Sequence, residues 1–487
     1  MSGLILQVTT VICGFILPRA ILNRFGSEAN GLLNSIAQFL QMIAFLELGV
    51  GAVIQSALYK PLADRDSRKI SEVLASGNNF FRKLAAILVA YVAGLTVAFP
   101  IFVDDKFGFV YDATLILSMS ISYFAQYYFG LVDSLLLKAD QKAYIINIIE
   151  MVTLVINTAF CYCLLYWGFS IQAVKLTTSG IFLLRPILVR YYIRKNYRID
   201  RKCQYTADPV AQKWNGVAQH VAAFVLDGTD VVVLSLFSTM STVSVYSVYM
   251  IVVSGIKNLV SSCFGGISSL FGELWAKQEK DALNSYFGFT EWLLHGLVVF
   301  VWCCTYNLIV PFVLVYTEHM TDANYNEPLF AALICIAYGL YCLRLPFNSM
   351  ILATGHYKNT QGIYIAGAVI NLTLSVLAVN RLGLIGVALG TAVAMLYQVL
   401  HMGYYVMMHL QVHSFRRSGR QFLFDIVTIV LALYATSMIS GTEASWLGWI
   451  FLAVKHAVVI AGCILALNFV FYHKETMEIA KKISKKR

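Results

Sequence analysis

The chain carries little charge for its length. Asp, Glu, Lys and Arg make up 13% of its 487 residues, about half the share that is usual in a soluble globular protein. Hydrophobic residues make up 59% of the chain, and its mean hydropathy is +0.70. This composition excludes an ordinary soluble fold and predicts a protein that lies largely within a membrane.

The sequence also lacks the motifs of common enzymes. It contains no Gly-rich loop that ends in Lys-Ser/Thr, no Gly-x-Ser-x-Gly and no His-Glu-x-x-His, so it predicts neither nucleotide hydrolysis nor these hydrolase sites. Its ten cysteines are scattered and show no metal-ligand spacing. We therefore expect no enzyme activity and no cofactor.

Apolar runs long enough to cross roughly 30 Å of hydrocarbon follow one another along the chain. We predict an all-α polytopic membrane protein with about fourteen transmembrane helices, although twelve or thirteen would also fit the close spacing of some runs. The runs lie near 4–22, 31–58, 84–103, 112–136, 143–166, 171–193, 214–238, 243–274, 288–316, 328–353, 360–380, 383–411, 422–440 and 448–472.

The net charge of +10 is explained by where the basic residues fall. On this topology, the loops on one side and the C-terminal tail carry 26 Lys and Arg, and the other side carries only Arg24, Lys106 and Arg381. By the positive-inside rule, we expect both termini to be cytoplasmic. Every basic cluster is a short loop between apolar runs, so we expect contact with membrane lipids and no nucleic-acid binding.

A sparse internal repeat, offset by about 215 residues, indicates two related halves. Residues 133–137 return as 348–352, and Asn157 returns as Asn371. Such repeats are typical of transporters with a substrate site between two lobes. The predicted organisation is an N-lobe at 1–194, a cytoplasmic linker at 195–213, a C-lobe at 214–411, two added spans at 412–472 and a basic cytoplasmic tail at 473–487.

Polar residues within several spans fall largely on one face of each helix. They are expensive in hydrocarbon, so we interpret them as the lining of a hydrated cavity, and interhelical hydrogen bonding is the alternative. The candidates are Asn34, Gln38, Gln41, Glu47, Asn147, Glu150, Asn157, Asp227 and Asp230.

Cations within the spans are the stronger signal. A Lys or Arg at mid-membrane costs about 3 kcal/mol or more unless it is paired or hydrated, and its functional use would be to hold a phosphate or diphosphate. The candidates are Arg19, Arg24, Lys257, Arg344, Lys175 and Arg185. A structural ion pair is the alternative, for instance between Lys257 and Asp227 or Asp230.

Five segments carry a resemblance to a known family. Residues 18–32 and 46–51 resemble the opening of the polysaccharide flippases of the multidrug/oligosaccharidyl-lipid/polysaccharide superfamily, and residues 227–230, 245–247 and 271–274 are similar to later segments of that family. The resemblance implies export of an undecaprenyl-diphosphate-linked oligosaccharide for O-antigen, capsule or exopolysaccharide synthesis by alternating access. Polysaccharide polymerases and glycosyltransferases would be its partners.

The resemblance also implies roles for individual residues. Arg19, Arg24 and Lys257 match the basic residues with which related lipid II flippases hold the diphosphate. A sodium site in some relatives would correspond to Asp230 or Asp227 with Asn371 and Thr391, so coupling to Na+ or H+ is left open. In spans thirteen and fourteen, Asp425 and Lys455 interrupt the apolar surface on which such relatives place the lipid tail.

Two other function classes remain as alternatives. A multidrug extruder of the same superfamily would use acids such as Glu47, Asp227 and Asp230, although span one carries Arg19 and no acid. A membrane polysaccharide polymerase or ligase would need a sizeable outer loop, whereas the longest here, at 317–327, has about eleven residues.

Overall fold

The computed structural model describes residues 2–46, 50–103, 106–201, 203, 217–264, 267–439 and 445–472. These residues form helices and connecting turns, without a strand. The helices are α1 (Ser2–Gln41), α2 (Val50–Ala63), α3 (Ser67–Phe102), α4 (Phe109–Ala125), α5 (Leu131–Ala139), α6 (Ala143–Tyr166), α7 (Ile171–Asn196), α8 (Val217–Phe237), α9 (Met240–Phe264), α10 (Ile267–Ala276), α11 (Lys280–Tyr316), α12 (Pro328–Leu343), α13 (Leu345–Ala353), α14 (Tyr357–Leu382), α15 (Leu384–His409), α16 (Phe415–Ser437) and α17 (Trp446–Phe471). Glu47, the side chain of Asp227, most of the predicted linker and the predicted tail lie outside the described residues.

The helices account for about fourteen spans. Among the described residues, eleven helical stretches are long and apolar enough to cross a membrane. One of these contains two helices that meet at a kink in α1. The charged helix α7 and the partly described α8 supply the remaining two of the predicted fourteen. The predicted all-α polytopic membrane fold is therefore confirmed.

The kink in α1 falls at Gly26, whose φ of 82° and ψ of 179° are not helical. Only glycine adopts this conformation at low cost. The helix that follows begins at Ser27, whose backbone N–H and Oγ donate to the two carboxylate oxygens of Asp322 at 2.6 and 2.7 Å. Asp322 therefore caps the start of the second span, a position where a carboxylate also interacts favourably with the helix dipole.

Helix α3 differs from the sequence prediction. Residues 60–83 have the charge and helical periodicity of an amphipathic helix in the membrane interface, which predicts a segment apart from the span at 84–103. Instead, one helix runs from Ser67 through the rest of this segment into the span. It starts after Asp66, whose carboxylate accepts from the backbone N–H groups of Arg68 and Lys69 at 3.1 and 3.0 Å. The apolar face of its first turns, which includes Ile70 and Leu74, is buried, and this packing holds the amphipathic part in line with the span.

The described structure divides into two compact units. The first contains residues 1–247 and 320–323, and the second contains residues 248–319 and 324–487. Helix α8 and the start of α9 thus pack with the N-terminal helices. Two buried hydrogen bonds fix them there, from Asn30 Nδ2 to Ser244 Oγ at 2.8 Å and from Ser35 Oγ to Ser235 Oγ at 2.7 Å. The predicted lobe boundaries remain a prediction.

Candidate functional site

Two of the predicted cations lie on one aromatic ring in the second unit. Lys257 Nζ, on α9, is 4.9 Å from the ring centroid of Tyr341, and the guanidinium carbon of Arg344 is 4.4 Å from the same centroid. Lys257 also lies 5.5 Å from the ring of Tyr338, one turn away on α12. The ring face attracts each cation, so Tyr341 holds two like charges close together. We call Lys257, Tyr341 and Arg344 the basic cluster.

Arg344 owes its position to a break between two helices. It follows the last residue of α12 and precedes α13, in which Pro346 cannot donate a backbone hydrogen bond. The side chain is only 8% exposed. One guanidinium nitrogen donates to the Gln398 side-chain oxygen on α15.

The guanidinium of Arg344 keeps unused donor capacity. Its Nε is buried without a hydrogen-bond partner, and Arg344 forms no ion pair with any described carboxylate. An Arg side chain offers five N–H donors in a planar fork. The part of the chain that the structure describes therefore provides no carboxylate to compensate this buried cation.

A second group of predicted residues lines a cavity of about 420 Å³ inside the first unit. Three cations, Lys138, Lys175 and Arg185, face it together with one acid, Glu150. Glu150 interacts electrostatically with Arg185, but neither Glu150 nor Lys175 makes a side-chain hydrogen bond or ion pair with any described residue. The lining is thus basic and only partly compensated.

A π-helical turn forms part of the wall of this cavity. It spans Gln126–Gly130 between α4 and α5, and such turns are frequent at functional sites. Gly130 sits close to α7, where a Cβ on it would be 2.9 Å from Cβ of Pro186. On the same helix, Arg185 Nε donates to Thr153 Oγ1 at 2.8 Å and its guanidinium carbon lies 3.8 Å from the centroid of the Phe182 ring.

Arg19 and Arg24 line a separate recess of about 670 Å³ in the first unit, together with Tyr162 and Tyr166. Arg19 is half-buried and Arg24 is exposed. The guanidinium carbon of Arg24 lies 5.7 Å from the ring centroid of Phe25. The structure therefore places the six predicted cations in three groups of two.

The polar candidates of the first unit have different surroundings. Gln41 hydrogen-bonds to Tyr123, which lines the same cavity as Glu150. Gln38 is half-buried, and its side chain makes no hydrogen bond within the described structure. The other three serve helix contacts: Asn34 donates to the Asn30 carbonyl, Asn147 donates to Ser2 Oγ, and the buried Asn157 accepts from Cys161 Sγ.

The residues considered for sodium lie in different units. Asp230, in the first unit, is 5% exposed and accepts a hydrogen bond from the Tyr246 hydroxyl at 2.9 Å. In the second unit, the buried Asn371 accepts from Ser375 Oγ at 3.0 Å and Thr391 Oγ1 donates to the Val387 carbonyl at 3.2 Å. The sodium site remains a prediction.

Sequence reasoning missed a buried group of acids and histidines in the second unit. Glu291 and His295 lie one turn apart on α11, and Gln421 and Asp425 lie one turn apart on α16. This spacing puts each pair on one helix face. The four-residue spacing of Glu291 and His295, and of Gln421 and Asp425, is a signal visible in the sequence, but the cost of Lys and Arg in hydrocarbon directed the prediction to the cations.

Sequence comparison does not assign the chain to a family. No family model and no curated protein matches it. Among solved structures, the lipid II flippase MurJ in an inward closed conformation matches 96% of this chain and 99% of its own, with a TM-score of 0.70 at 15% identity. An inward-facing multidrug resistance MATE family transporter of the MOP superfamily matches 82% of this chain and 94% of its own, with a TM-score of 0.63 at 14% identity. The chain shares the fold of these transporters.

A third similar structure is the Vibrio cholerae MATE transporter VcmN in its bent form. It covers 82% of this chain and 93% of its own, with a TM-score of 0.55 at 13% identity. The fold therefore agrees with a multi-pass membrane protein built like MurJ and the MATE transporters.

Proposed function

We propose that the protein is a flippase that moves a lipid-linked oligosaccharide across a bacterial plasma membrane for cell-surface polysaccharide synthesis. The observation that carries the proposal is the basic cluster, in which a buried and uncompensated Arg344 shares the ring of Tyr341 with Lys257. The fold similarity to a lipid II flippase along almost the whole chain supports it.

A diphosphate suits the chemistry of this cluster. It carries about two negative charges and several acceptor oxygens, and Arg binds such groups through two parallel hydrogen bonds. Lys257 adds a compact positive charge that can follow the group as it moves. The proposed substrate is an undecaprenyl-diphosphate-linked repeat unit, and its prenyl tail would stay in the lipid.

The membrane potential favours outward movement of such a substrate. A potential of about 100 mV, negative inside, is worth about 2.3 kcal/mol for each charge moved across. By the same relation, a diphosphate with two charges gains roughly 4–5 kcal/mol. We propose that both termini are cytoplasmic, and that polysaccharide polymerases and glycosyltransferases act on the same lipid-linked intermediate.

A second candidate is an extruder of organic cations. The fold similarity to MATE transporters favours it, as does Asp112, a fully buried carboxyl group in α4 with no hydrogen-bond partner in the described structure. The uncompensated Arg344 and the excess of cations in the 420 Å³ cavity disfavour a cationic substrate. We therefore rank it below the flippase.

Complementation tests the proposal. The native gene is deleted, and lipid-linked oligosaccharide is measured in the inner leaflet after supplying the wild type, Arg344→Ala, Lys257→Ala or Arg19→Ala. We expect the deletion to accumulate the intermediate and the wild type to clear it. We expect the variants to clear it poorly at equal membrane abundance.

Matched charge removals provide the control. Lys358→Ala and Arg381→Ala remove cations at exposed positions on α14 and should restore transport fully. No accumulation on deletion, combined with a changed resistance to cationic drugs, would replace the flippase with the extruder. Equal rescue by Arg344→Ala and the wild type would show that the basic cluster does not bind the substrate.

A further inference from the structure

Two carboxylate–histidine pairs lie buried where α16 packs on α11 in the second unit. His295 Nδ1 is hydrogen-bonded to Asp425 Oδ2, and His413 Nε2 lies 2.6 Å from Glu291 Oε2. All four side chains are at most 7% exposed. We call these four residues the imidazole–carboxylate network.

Neutral polar groups complete the network. Ser418 Oγ donates to Glu291 Oε1 at 2.7 Å, and Gln421 Nε2 donates to Asp425 Oδ1 at 3.2 Å. Each carboxylate thus has one oxygen near an imidazole and the other bound to a neutral donor on α16. This arrangement gives each carboxylate partners for its ionised form, and no Lys or Arg among the described residues forms an ion pair with it.

His413 is held in an unusual backbone conformation. Its φ is 71°, in the left-handed region that few non-glycine residues adopt. Its backbone N–H donates to Asn284 Oδ1 on α11 at 2.8 Å, and its ring lies 5.5 Å from that of Phe287. Contacts with α11 therefore hold the strained turn before α16 in place, and strain of this kind persists where the surroundings enforce it.

The charge balance of the network depends on bound protons. With both imidazoles protonated and both carboxylates ionised the four groups sum to zero, and each proton lost leaves a net negative charge among side chains that are at most 7% exposed. Buried charge is costly unless it is compensated. Within the described structure, the buried His295 Nε2 makes no hydrogen bond, and His413 Nε2 contacts Glu291 without hydrogen-bond geometry. Each imidazole therefore has a nitrogen at which a proton is bound or absent.

The neighbouring helices contribute few other titratable groups. Arg417 of α16 packs over Gly288, one turn before Glu291, where a Cβ would lie 2.9 Å from its guanidinium carbon. Cys303 of α11 interacts electrostatically with Asp425. From α17, the buried His456 is hydrogen-bonded through Nδ1 to the Leu452 carbonyl of its own helix, and Lys455 is exposed.

We propose that the imidazole–carboxylate network is a proton-binding site, and that its protonation sets how firmly α16 is held against α11. Chains of Asp, Glu and His inside membrane helices are the usual proton-binding groups of transporters. Glu291 interacts electrostatically with both His413 and His295, so this carboxylate links the two pairs in one network. Coupling of this site to transport rests on the proposed function, whereas proton binding itself does not.

Proton binding is measured on the full chain in lipid nanodiscs, labelled with nitrogen-15 at histidine and followed by NMR between about pH 5 and 8. We expect Glu291→Gln to displace the titration of both His295 and His413, and Asp425→Asn to displace chiefly that of His295. The exposed His401 on α15 reports a histidine outside the network and should be unchanged. Titration of His295 and His413 independently of Glu291 would overturn the proposal.

Transport is measured separately in proteoliposomes with and without a pH difference across the membrane. We expect the wild-type rate to change severalfold with the pH difference, and His295→Gln and His413→Gln to remove that dependence, while His401→Gln keeps it. Unaltered pH dependence in both network variants would overturn the coupling. Absence of any lipid-linked oligosaccharide transport would contradict the proposed function and leave the NMR result to decide on proton binding.

A variant that does not fold is recognised by gel filtration before either measurement. Gln and Asn keep the approximate size and polarity of the side chains they replace, and the single variants remove one proton site each. If both histidine variants fail to fold, Ser418→Ala removes a donor to Glu291 and should still displace the His413 titration. An unchanged His413 titration in Ser418→Ala would contradict the proposed network.

Discussion

Arg201 donates from one guanidinium nitrogen to both carboxylate oxygens of Asp133, at 2.9 Å each. Asp133 is 1% exposed and Arg201 is 24% exposed, so the residues just beyond α7 are fastened to α5 by a mostly buried ion pair. Arg201→Ala should therefore lower the free energy of unfolding by about 3 kcal/mol or more, because it leaves a buried carboxylate without its partner. Denaturant unfolding of the purified protein in detergent measures this.

A surface ion pair gives the matched control. Arg68 lies 3.3 Å from Glu72 and is 83% exposed, so Arg68→Ala should cost no more than about 0.5 kcal/mol. Equal losses for the two arginine variants would show that burial of Asp133 does not set the cost.

The cluster of Asp140, Lys142 and Tyr197 predicts how stability varies with pH. Burial and the hydrogen bond to Asp140 raise the pKa of Tyr197 to about 12, and the hydrogen bonds to Asp140 and Tyr197 raise the pKa of Lys142. Folding raises the pKa values of both Tyr197 and Lys142. Their contribution to the stability of the folded protein is therefore complete below about pH 10 and is lost as the pH rises through the pKa values of the folded state.

Asp140 affects the stability of the protein at low pH. Burial opposes its ionisation, but hydrogen bonds from Lys142 and Tyr197 outweigh burial and lower its pKa. Its contribution to stability is complete above about pH 4 and is lost as the pH falls through the lowered pKa of Asp140. Tyr197→Phe should therefore cost about 1 kcal/mol at neutral pH and reduce the loss of stability above about pH 10. Thermal unfolding across pH measures both, and an unchanged alkaline loss would contradict the assignment.

Gly26→Ala should destabilise the first unit. Alanine at φ 82° and ψ 179° is strained by about 1–3 kcal/mol, and its Cβ would lie 2.8 Å from Asp322 Oδ2. Gly14→Ala is the control, because Gly14 lies within α1 with nothing within 4 Å of an added Cβ. That change should leave stability unchanged or raise it by about 0.5–1 kcal/mol. Equal effects of the two changes, measured by thermal unfolding, would contradict the strained kink.

Arg344→Lys separates charge from geometry in the basic cluster. Lysine keeps the positive charge but loses the planar fork that binds a diphosphate through two bonds. We expect transport to fall by about tenfold, equivalent to about 1.4 kcal/mol, with most of the change in the apparent affinity for lipid-linked oligosaccharide. Reconstituted transport at varied substrate concentration measures this, and full activity of Arg344→Lys would indicate that charge alone suffices.

Much of the fold follows from patterns that act locally. The apolar runs set the number and length of the spans, and α11, which contains the predicted run at 288–316, is one of the eleven apolar stretches. The break before α13 at Pro346 and the kink at Gly26 change the helix path without ending the run. The continuity of α3 was missed because charge suggested a surface segment, whereas burial of Ile70 and Leu74 keeps it in line.

The sequence supplied the individual candidate residues, but it did not predict which of them lie together. The cost of a cation in hydrocarbon identified Lys257 and Arg344, but their shared contact with Tyr341 depends on how α9 and α12 pack. Likewise, Lys175 and Glu150 were assigned to one cavity with no means of knowing that a π-helical turn shapes its wall. Contacts between distant segments depend on tertiary packing, which periodicity does not encode.

The cap at the start of the second span is supplied by residues from much later in the chain. Ser27 is held by Asp322, and residues 320–323 belong to the first unit although they follow much of the second in sequence. A ribosome that has produced only the first 247 residues has therefore not yet made the carboxylate that completes this unit. The bend between the first two spans therefore gains its cap only after nearly three hundred further residues have been synthesised.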